Sequence, residues 1–187
     1  FLLPQNKIFR AWTGVEDYVF YPHGSGSEKF PIFTAVFRGQ FLPESGVDTL
    51  IRAAKLLDGK GIKILLLGGG SDTLKVTRLL EELKPDNLEF INEFLPDDKL
   101  RTLMQKSHLS LGQLAKHPRL ERTVPHKAYE SLAMRLPYLT ASNKGILELL
   151  KDGETCIICD PASPESLAEK ILWAKNNLGE LEKIAKN

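Results

Sequence analysis

Short apolar runs alternate with longer amphipathic segments along most of the chain, and this alternation constrains the fold more than any other feature. An apolar run of four to six residues is followed about six times by a segment whose apolar residues recur at helical spacing. This pattern is typical of repeated βαβ units, whose strands form a parallel sheet with helices on both faces. The sequence therefore predicts an α/β protein with a doubly wound parallel sheet of about six strands.

The same periodicity gives each element an approximate range. The second apolar run is broken only by Lys63. A nearly continuous apolar run is typical of a strand buried on both faces of a sheet. The predicted strands are Phe33–Phe37, Ile62–Leu67, Leu88–Ile91, Leu109–Leu114, Pro137–Thr140 and Cys156–Cys159. The predicted helices are Val47–Leu57, Leu74–Leu83, Pro96–Met104, Pro125–Met134, Lys144–Leu150 and Pro164–Asn176.

Charge and hydropathy exclude several classes of protein. The 187 residues include 25 Lys and Arg and 24 Asp and Glu, so a net charge of +1 predicts no overall nucleic-acid-binding surface. No apolar run is long enough to cross a bilayer, and no basic segment followed by an apolar one marks a secretion signal. We therefore expect a cytoplasmic protein that binds no nucleic acid, and we expect this chain to be a fragment of a longer one.

A Gly- and Ser-rich stretch at residues 23–27 predicts a boundary, because these residues favour flexible loops. Residues 1–30 are interpreted as a connector and the remnant of a preceding domain, with a stray strand at Lys7–Ala11. Residues 31–187 are predicted to form the domain that contains the sheet.

Two cysteines, Cys156 and Cys159, form a C-x-x-C pair. Positions three apart in a strand point to opposite faces, so the two thiols cannot readily share a metal ion. No second pair of Cys or His is spaced to complete a zinc site. We therefore expect two buried structural cysteines and no metal.

A doubly wound sheet binds ligands outside the carboxyl ends of its strands. The glycine-rich loop Gly68–Ser71 would let backbone amides approach a phosphate or a sugar closely. It matches neither G-x-G-x-x-G nor a Walker loop, and a simple strand-to-helix turn is an equal alternative. The candidate ligand loops are Gly39–Gly46, Gly68–Thr73, Asn92–Pro96, Ala115–Pro125, Ser142–Gly145 and Asp160–Ser163.

A basic segment, residues 116–127, contains four Lys or Arg and two His. Thr123 is predicted to cap a helix that Pro125 helps to start, which would present unpaired amides to an anion. Lys127 and Glu130 would share one face of that helix. The pattern predicts a dianion site with a carboxylate for hydroxyl groups. The alternative is a solvated basic loop in which Lys127 and Glu130 form a surface ion pair.

Four blocks of residues resemble, in order and spacing, the C-terminal half of GT-B glycosyltransferases of family 4, the glycosyltransferase group 1 domain. The blocks are FRGQFLPESGVDTL (residues 37–50), LLGGG (66–70), VPHKAYESLAMRLP (124–137) and GILELLKDG (145–153). The resemblance runs from about residue 33 to 177, and residues 12–22 are similar to the connector between the two halves of such enzymes.

This resemblance implies a Rossmann-like domain that is one half of a GT-B fold and binds a UDP- or GDP-linked sugar donor. It implies transfer of a hexose to an acceptor hydroxyl with retention, without cofactor or metal, and with the catalytic residues in the other half. The isolated chain is therefore expected to be inactive. The implied partners are its own N-terminal domain and an acceptor glycan or lipid-linked glycan, and the complete enzyme would associate peripherally with the inner face of the membrane.

The resemblance and the loop analysis together assign a set of residues to the donor. Glu130 corresponds to the acid that holds the ribose in this family, and Lys127 with Arg122 would neutralise the phosphates. The donor-binding candidates are Glu130, Lys127, Arg122, Gly39, Gln40, Gly68, Gly70, Phe94, Thr123 and Pro125.

Three departures from the family pattern affect this site. The Arg and Lys of the family loop G-R-x-x-x-x-K-G, which bind the diphosphate, correspond to the neutral residues Gln40 and Ser45. Arg122 stands where the family has the first of two glutamates, and Arg135 where it has a glycine. Either the cations of residues 116–127 supply the phosphate charge from the other side of the cleft, or the donor site is degenerate.

Two further alternatives stay open. A dinucleotide-dependent oxidoreductase would need a third glycine and an acidic residue at the end of the next strand. Thr73 takes that glycine's position, and Glu89 lies within a strand. A regulatory domain without transferase activity is compatible with the fold class alone.

Overall fold

The computed structural model describes residues 4–7, 13–22 and 28–187. The strands are β1 (Phe33–Gln40), β2 (Ile62–Gly69), β3 (Leu88–Ile91), β4 (Leu109–Leu111), β5 (Tyr138–Ala141) and β6 (Ile157–Cys159). The α-helices are α1 (Val47–Leu56), α2 (Thr73–Leu83), α3 (Asp97–Lys106), α4 (His126–Ala133), α5 (Lys144–Leu147), α6 (Pro164–Asn176) and α7 (Leu178–Lys186). Short 3-10 turns lie at Gln5–Lys7, Pro43–Ser45 and Pro118–Glu121.

The six strands form one sheet in the order β3-β2-β1-β4-β5-β6, and every neighbouring pair is parallel. Strand order reverses between β1 and β4, so the switch point of the sheet lies between these two strands. The predicted α/β doubly wound fold is confirmed.

Several predicted boundaries differ from the structure. β1 and β2 run on to Gln40 and Gly69, because the two strands pair with each other along their whole length. β4 ends at Leu111, three residues early, because the Leu114 amide turns away and donates to the carbonyl of Ser45. The prediction missed α7, whose Leu181 and Ile184 are buried against the rest of the domain.

The apolar core lies on both faces of the sheet. On one face, α1 and α6 cover the cluster that contains Phe37, Leu50 and Leu66. Cys159 belongs to that cluster, whereas Cys156 belongs to the cluster of Ala128, Tyr138 and Ile146 beneath α4 and α5. Both thiols are free and buried on different faces, as predicted, and burial raises the pKa of each to about 12.

Residues 13–22 pack against the second face of the sheet. Phe20 is buried in a cluster with Met104 and Met134, and Arg101 donates a hydrogen bond to the carbonyl of Val19. The predicted boundary at residues 23–27 and the predicted strand at Lys7–Ala11, apart from Lys7, lie outside the described residues. Lys7 itself belongs to a 3-10 turn. The division of the chain at residue 30 stays a prediction.

Among the helices that the structure describes, none combines the length and the apolar character needed to cross a membrane.

Candidate ligand-binding site

A cavity of about 620 Å³ opens at the carboxyl ends of β1 and β2, and Gln113, just beyond β4, also lines it. The cavity therefore lies at the switch point of the sheet, where doubly wound folds bind their ligands. Its volume is within the usual range for small-molecule and cofactor sites. The remaining walls come from the loop after β3 with Leu100 of α3, from the segment that leads into α4 with the first turns of that helix, and from Thr13.

The loop after β1 is closed by its own side chains. The Ser45 hydroxyl donates to the carbonyl of Gln40 at 2.7 Å and accepts from the amide of Leu42 at 3.3 Å. Glu44, which is also buried, pairs with Arg119 at 2.6 Å. The loop therefore offers the cavity no cation of its own, since residues 40 and 45 are the neutral Gln40 and Ser45.

Glycines at the carboxyl ends of β1 and β2 allow these two paired strands to lie in close backbone contact. Gly68 has a φ of +119°, and a Cβ there would lie 2.0 Å from the carbonyl oxygen of Gly39. Gly70 lies against Phe41, and its amide donates to the hydroxyl of Thr73 at 2.7 Å. Gly68 lines the cavity, whereas Gly70 does not. For Gly70, the alternative prediction of a simple strand-to-helix turn therefore fits the structure better than a role in ligand binding.

Thr123 does not cap α4, so that prediction was wrong. The N-cap position belongs to Pro125, whose backbone is extended, and no side chain caps the helix. The hydroxyl of Thr123 donates instead to the carbonyl of Arg119, because the 3-10 turn at Pro118–Glu121 brings that carbonyl within reach. The uncapped start of α4, together with Val124, Pro125 and His126, forms part of the cavity wall.

Lys127 and Glu130 do not form the surface ion pair that was the alternative prediction. Glu130 pairs with Arg38, whose Nη2 lies 2.6 Å from Glu130 Oε2. The guanidinium of Arg38 is buried in β1 and also lies 3.4 Å from the carbonyl oxygen of Lys127. Both α4 residues line the cavity. Arg38 contacts the side chain of Glu130 and the backbone carbonyl of Lys127.

Lys127 occupies an unusual electrostatic position. Its Nζ lies 4.0 Å from the centre of the Phe37 ring and 3.4 Å from Gln113 Oε1. Burial and, to a lesser degree, the charge of Arg38 lower the pKa of Lys127 to about 7, while Glu130 opposes this shift. Among the Lys and Arg side chains that the structure places in the cavity wall, Lys127 is the one without a carboxylate partner.

The structure brings most of the sequence-predicted residues to this one cavity. Those that line it are Glu130, Lys127, Gly39, Gln40, Gly68, Phe94, Thr123 and Pro125. Arg122 is exposed and does not line it. Phe94 is 65% exposed in the loop after β3. Their assignment to a donor stays a prediction.

Three polar residues of the wall, Thr13, Arg38 and Gln113, lie outside the predicted site residues, ligand loops and basic segment. A charged residue at the end of an apolar run was a signal for Arg38, whereas nothing in the sequence singled out Gln113. In the described part of the chain, no group of three His, Cys, Asp or Glu side chains is arranged to hold a metal ion.

Comparisons with known proteins identify relatives of the chain. Residues 26–187 match the family model described as glycosyl transferases group 1. The curated "Uncharacterized glycosyltransferase MJ1178" of Methanocaldococcus jannaschii is 25% identical over 173 residues. That alignment covers 92% of this chain but 45% of the relative, so the chain spans less than half of that protein's length.

Solved structures share the fold. The C-terminal domain of a glycosyl transferase group 1 family protein (LpcC) from Francisella tularensis has a TM-score of 0.74 at 16% identity, with 93% of this chain and 94% of that chain covered. Anabaena Alr3699/HepE in complex with UDP-glucose has a TM-score of 0.75 at 18% identity, with 94% and 50% covered. A glycosyltransferase from Rickettsia africae reaches 0.78 at 18% identity, with 98% and 52% covered.

Proposed function

Since the chain belongs to the glycosyl transferases group 1 family, we propose that it is the donor-binding half of a glycosyltransferase that moves a hexose from a nucleotide-sugar to an acceptor hydroxyl. The acceptor, an N-terminal half with the catalytic groups, retention of configuration and peripheral membrane association belong to the same proposal. The reaction as proposed uses no metal and no cofactor.

The observation that carries this proposal is the amino group of Lys127, which lies in the cavity wall without a carboxylate partner. A Cβ on Gly39 would lie 3.6 Å from Lys127 Nζ, so the amino group lies against the end of β1, where the family's diphosphate-binding loop begins. A diphosphate there would supply the anion that Lys127 lacks, beside the uncapped first turn of α4. Similar folds support the ligand class, since Anabaena HepE is solved with UDP-glucose.

The proposed roles follow from charge and reach. Glu130 accepts a hydrogen bond from a ribose hydroxyl. Lys127 holds the diphosphate and stabilises the negative charge that develops on it when the bond to the sugar breaks. A bound dianion favours the charged form of the amine, so it raises the pKa of Lys127 above the value in the unliganded protein.

A nucleotide-binding regulatory domain without transferase activity is the second candidate function. It is favoured by the loop after β1, which carries no Lys or Arg and in which Ser45 is engaged in hydrogen bonds within the loop. The two candidates differ in chemistry but share the ligand class.

Thermal unfolding in the presence of UDP, GDP, ADP or NAD tests the shared claim. We expect UDP or GDP to raise the midpoint of unfolding, with a Kd on the order of 0.1–1 mM, because half of the cleft wall is contributed by another domain. Stabilisation by NAD alone would instead favour a dinucleotide-dependent oxidoreductase.

A further inference from the structure

Arg38 is a charged side chain in the centre of the sheet. It lies in β1, which pairs with β2 on one side and β4 on the other, and it follows the fully buried residues Ala35, Val36 and Phe37. Only 4% of Arg38 is exposed. A buried guanidinium costs free energy unless ion pairs and hydrogen bonds satisfy it.

The interactions of Arg38 satisfy its guanidinium only in part, and the groups it contacts belong to residues that line the cavity. Nη2 donates to Glu130 Oε2 and to the carbonyl of Lys127, which ties the first turns of α4 to the central strand. Nε and Nη1 are buried without a hydrogen-bond partner in the described part of the protein, and the same holds for the nearby Tyr138 hydroxyl. An apolar side chain would avoid these costs, so stability alone does not explain an arginine here.

The ion pair leaves half of the Glu130 carboxylate available. Arg38 holds Oε2, whereas Oε1 has no hydrogen-bond partner among the described residues. The Glu130 side chain is 23% exposed and lines the cavity. One oxygen is therefore fixed and the other is free to accept from a ligand.

Arg38 also keeps two ligand-binding groups apart. Glu130 follows Lys127 by three positions on α4, a spacing at which opposite charges commonly pair. Because Glu130 is held by the guanidinium, Lys127 Nζ stays near Gln113 and the Phe37 ring. Without Arg38, Glu130 and Lys127 would be free to neutralise each other.

We propose that Arg38 is a positioning residue, which orients the Glu130 carboxylate so that its second oxygen accepts a hydrogen bond from a ribose hydroxyl of a bound nucleoside diphosphate. This inference rests on the proposed donor-binding function. It concerns an interaction that Arg38 makes through Glu130, without touching the ligand.

The test compares nucleotides that differ only in the ribose hydroxyls. UDP, GDP and their 2′,3′-dideoxy analogues are titrated by NMR into the 187-residue chain and into the variants Arg38→Met, Arg38→Lys and Glu130→Ala. Lys63→Met is the matched control, because Lys63 pairs with Glu89 at the same 2.6 Å but lies outside the cavity.

We expect the wild-type chain to bind the ribose form about ten-fold more tightly than the dideoxy form, since a charge-assisted hydrogen bond is lost. Arg38→Met should reduce that ratio towards one, Arg38→Lys should restore part of it, and Lys63→Met should leave it unchanged. A folded Arg38→Met variant that keeps the wild-type ratio would overturn the proposal.

The double variant Arg38→Met/Glu130→Ala removes both charges and covers the case in which Arg38→Met alone does not fold. It should bind UDP or GDP as Glu130→Ala does, because Arg38 acts through Glu130. A further loss in the double variant contradicts the proposal. If the wild-type chain binds neither nucleotide, the donor-binding function itself fails; if it binds without preferring the ribose form, only the role of Arg38 and Glu130 fails.

Discussion

Lys127 is the residue whose charge the proposed chemistry needs most. Its pKa of about 7, against an ordinary value of 10.5, means that the unliganded protein holds the amine partly neutral. Between about pH 7 and pH 10 the folded chain therefore binds fewer protons here than the unfolded chain, so this residue's contribution makes stability rise with pH. The stability of the folded chain is therefore favoured by the neutral amine, whereas the binding of a phosphate is favoured by the ammonium form of Lys127.

The first prediction concerns pH. We expect the affinity for UDP or GDP, whichever binds, to fall by on the order of ten-fold between pH 7 and pH 8.5, because the amine must be protonated to hold the phosphates. Titrations at several pH values measure this dependence, and Lys127→Met is the control that should bind weakly at every pH. An affinity that is flat from pH 7 to pH 8.5 in the wild-type chain would show that Lys127 does not hold the phosphate.

The second prediction uses the same variant without a ligand. Lys127→Met should raise the midpoint of thermal unfolding, and by more at pH 6 than at pH 9, because only the ammonium form suffers from burial. Thermal unfolding followed by circular dichroism measures both values. An equal change at the two pH values would mean that the amine titrates as an exposed lysine does.

At the scale of the elements, the carboxyl ends of the neighbouring strands β1 and β2 lie in close backbone contact. Gly68 combines a positive φ with the near contact to Gly39. Gly59 has a φ of +70°, but among the described residues nothing lies within 4 Å of the place that a Cβ would take. A substitution at Gly59 therefore measures the cost of the backbone conformation alone, whereas a substitution at Gly68 adds the cost of a steric clash.

The third prediction follows from that contrast. Gly59→Ala should destabilise the fold by about 1–2 kcal/mol, the cost of a left-handed backbone at a residue with a Cβ. Gly68→Ala should cost more than about 3 kcal/mol, because the paired ends of β1 and β2 must also separate. Chemical denaturation of both variants gives the comparison, and equal losses would contradict the packing described for these strand ends.

The fourth prediction concerns the two cysteines, one at the end of β6 and one just before its start. Cys156 and Cys159 are small apolar residues of two separate clusters. Changing each to Ala should lower the free energy of unfolding by about 1–2 kcal/mol and leave nucleotide binding intact. Metal analysis of the purified protein is the opposing test. Stoichiometric zinc in the wild-type chain that is lost in the double variant would show that the cysteines bind metal.

The sequence predicts the secondary-structure elements better than it predicts which charged side chains pair with each other. Leu88–Ile91 and Pro164–Asn176 were predicted with their observed bounds, because periodicity and a helix-starting proline are local signals. The Arg38–Glu130 pair joins residues 92 positions apart, and only the packing of α4 on β1 brings them together. Thr123 failed as a cap because a preceding 3-10 turn engages its hydroxyl, a competition that motif spacing does not reveal.

Arg135 shows how a departure from the family pattern is accommodated. It occupies the position where the family has glycine, and its backbone keeps a φ of +51°. The turn after α4 therefore places a residue with a Cβ in the left-handed region, at a local cost of about 1–2 kcal/mol.

At the scale of the whole molecule, the cavity at the switch point is lined by the ends of β1 and β2 and by residues that follow β3 and β4. Binding and chemistry are separate properties of such a domain, because the proposed acceptor site and catalytic groups belong to another part of the enzyme. We expect the 187-residue chain to bind nucleotide and to transfer no sugar. Release of UDP from UDP-glucose or of GDP from GDP-mannose at an ordinary enzymatic rate would contradict this separation.

The most direct test of the donor-site proposal is an NMR titration of the isolated chain with UDP and with GDP, repeated with Glu130→Gln and Lys127→Ala. We expect the shifted amides to surround the cavity and Glu130→Gln to weaken binding by about ten-fold. Lys127→Ala should weaken the diphosphate more than the free nucleoside, because its role is electrostatic. If both folded variants bind as the wild type does, or if the shifted amides lie elsewhere, Lys127 and Glu130 are structural and the cavity is not the donor site.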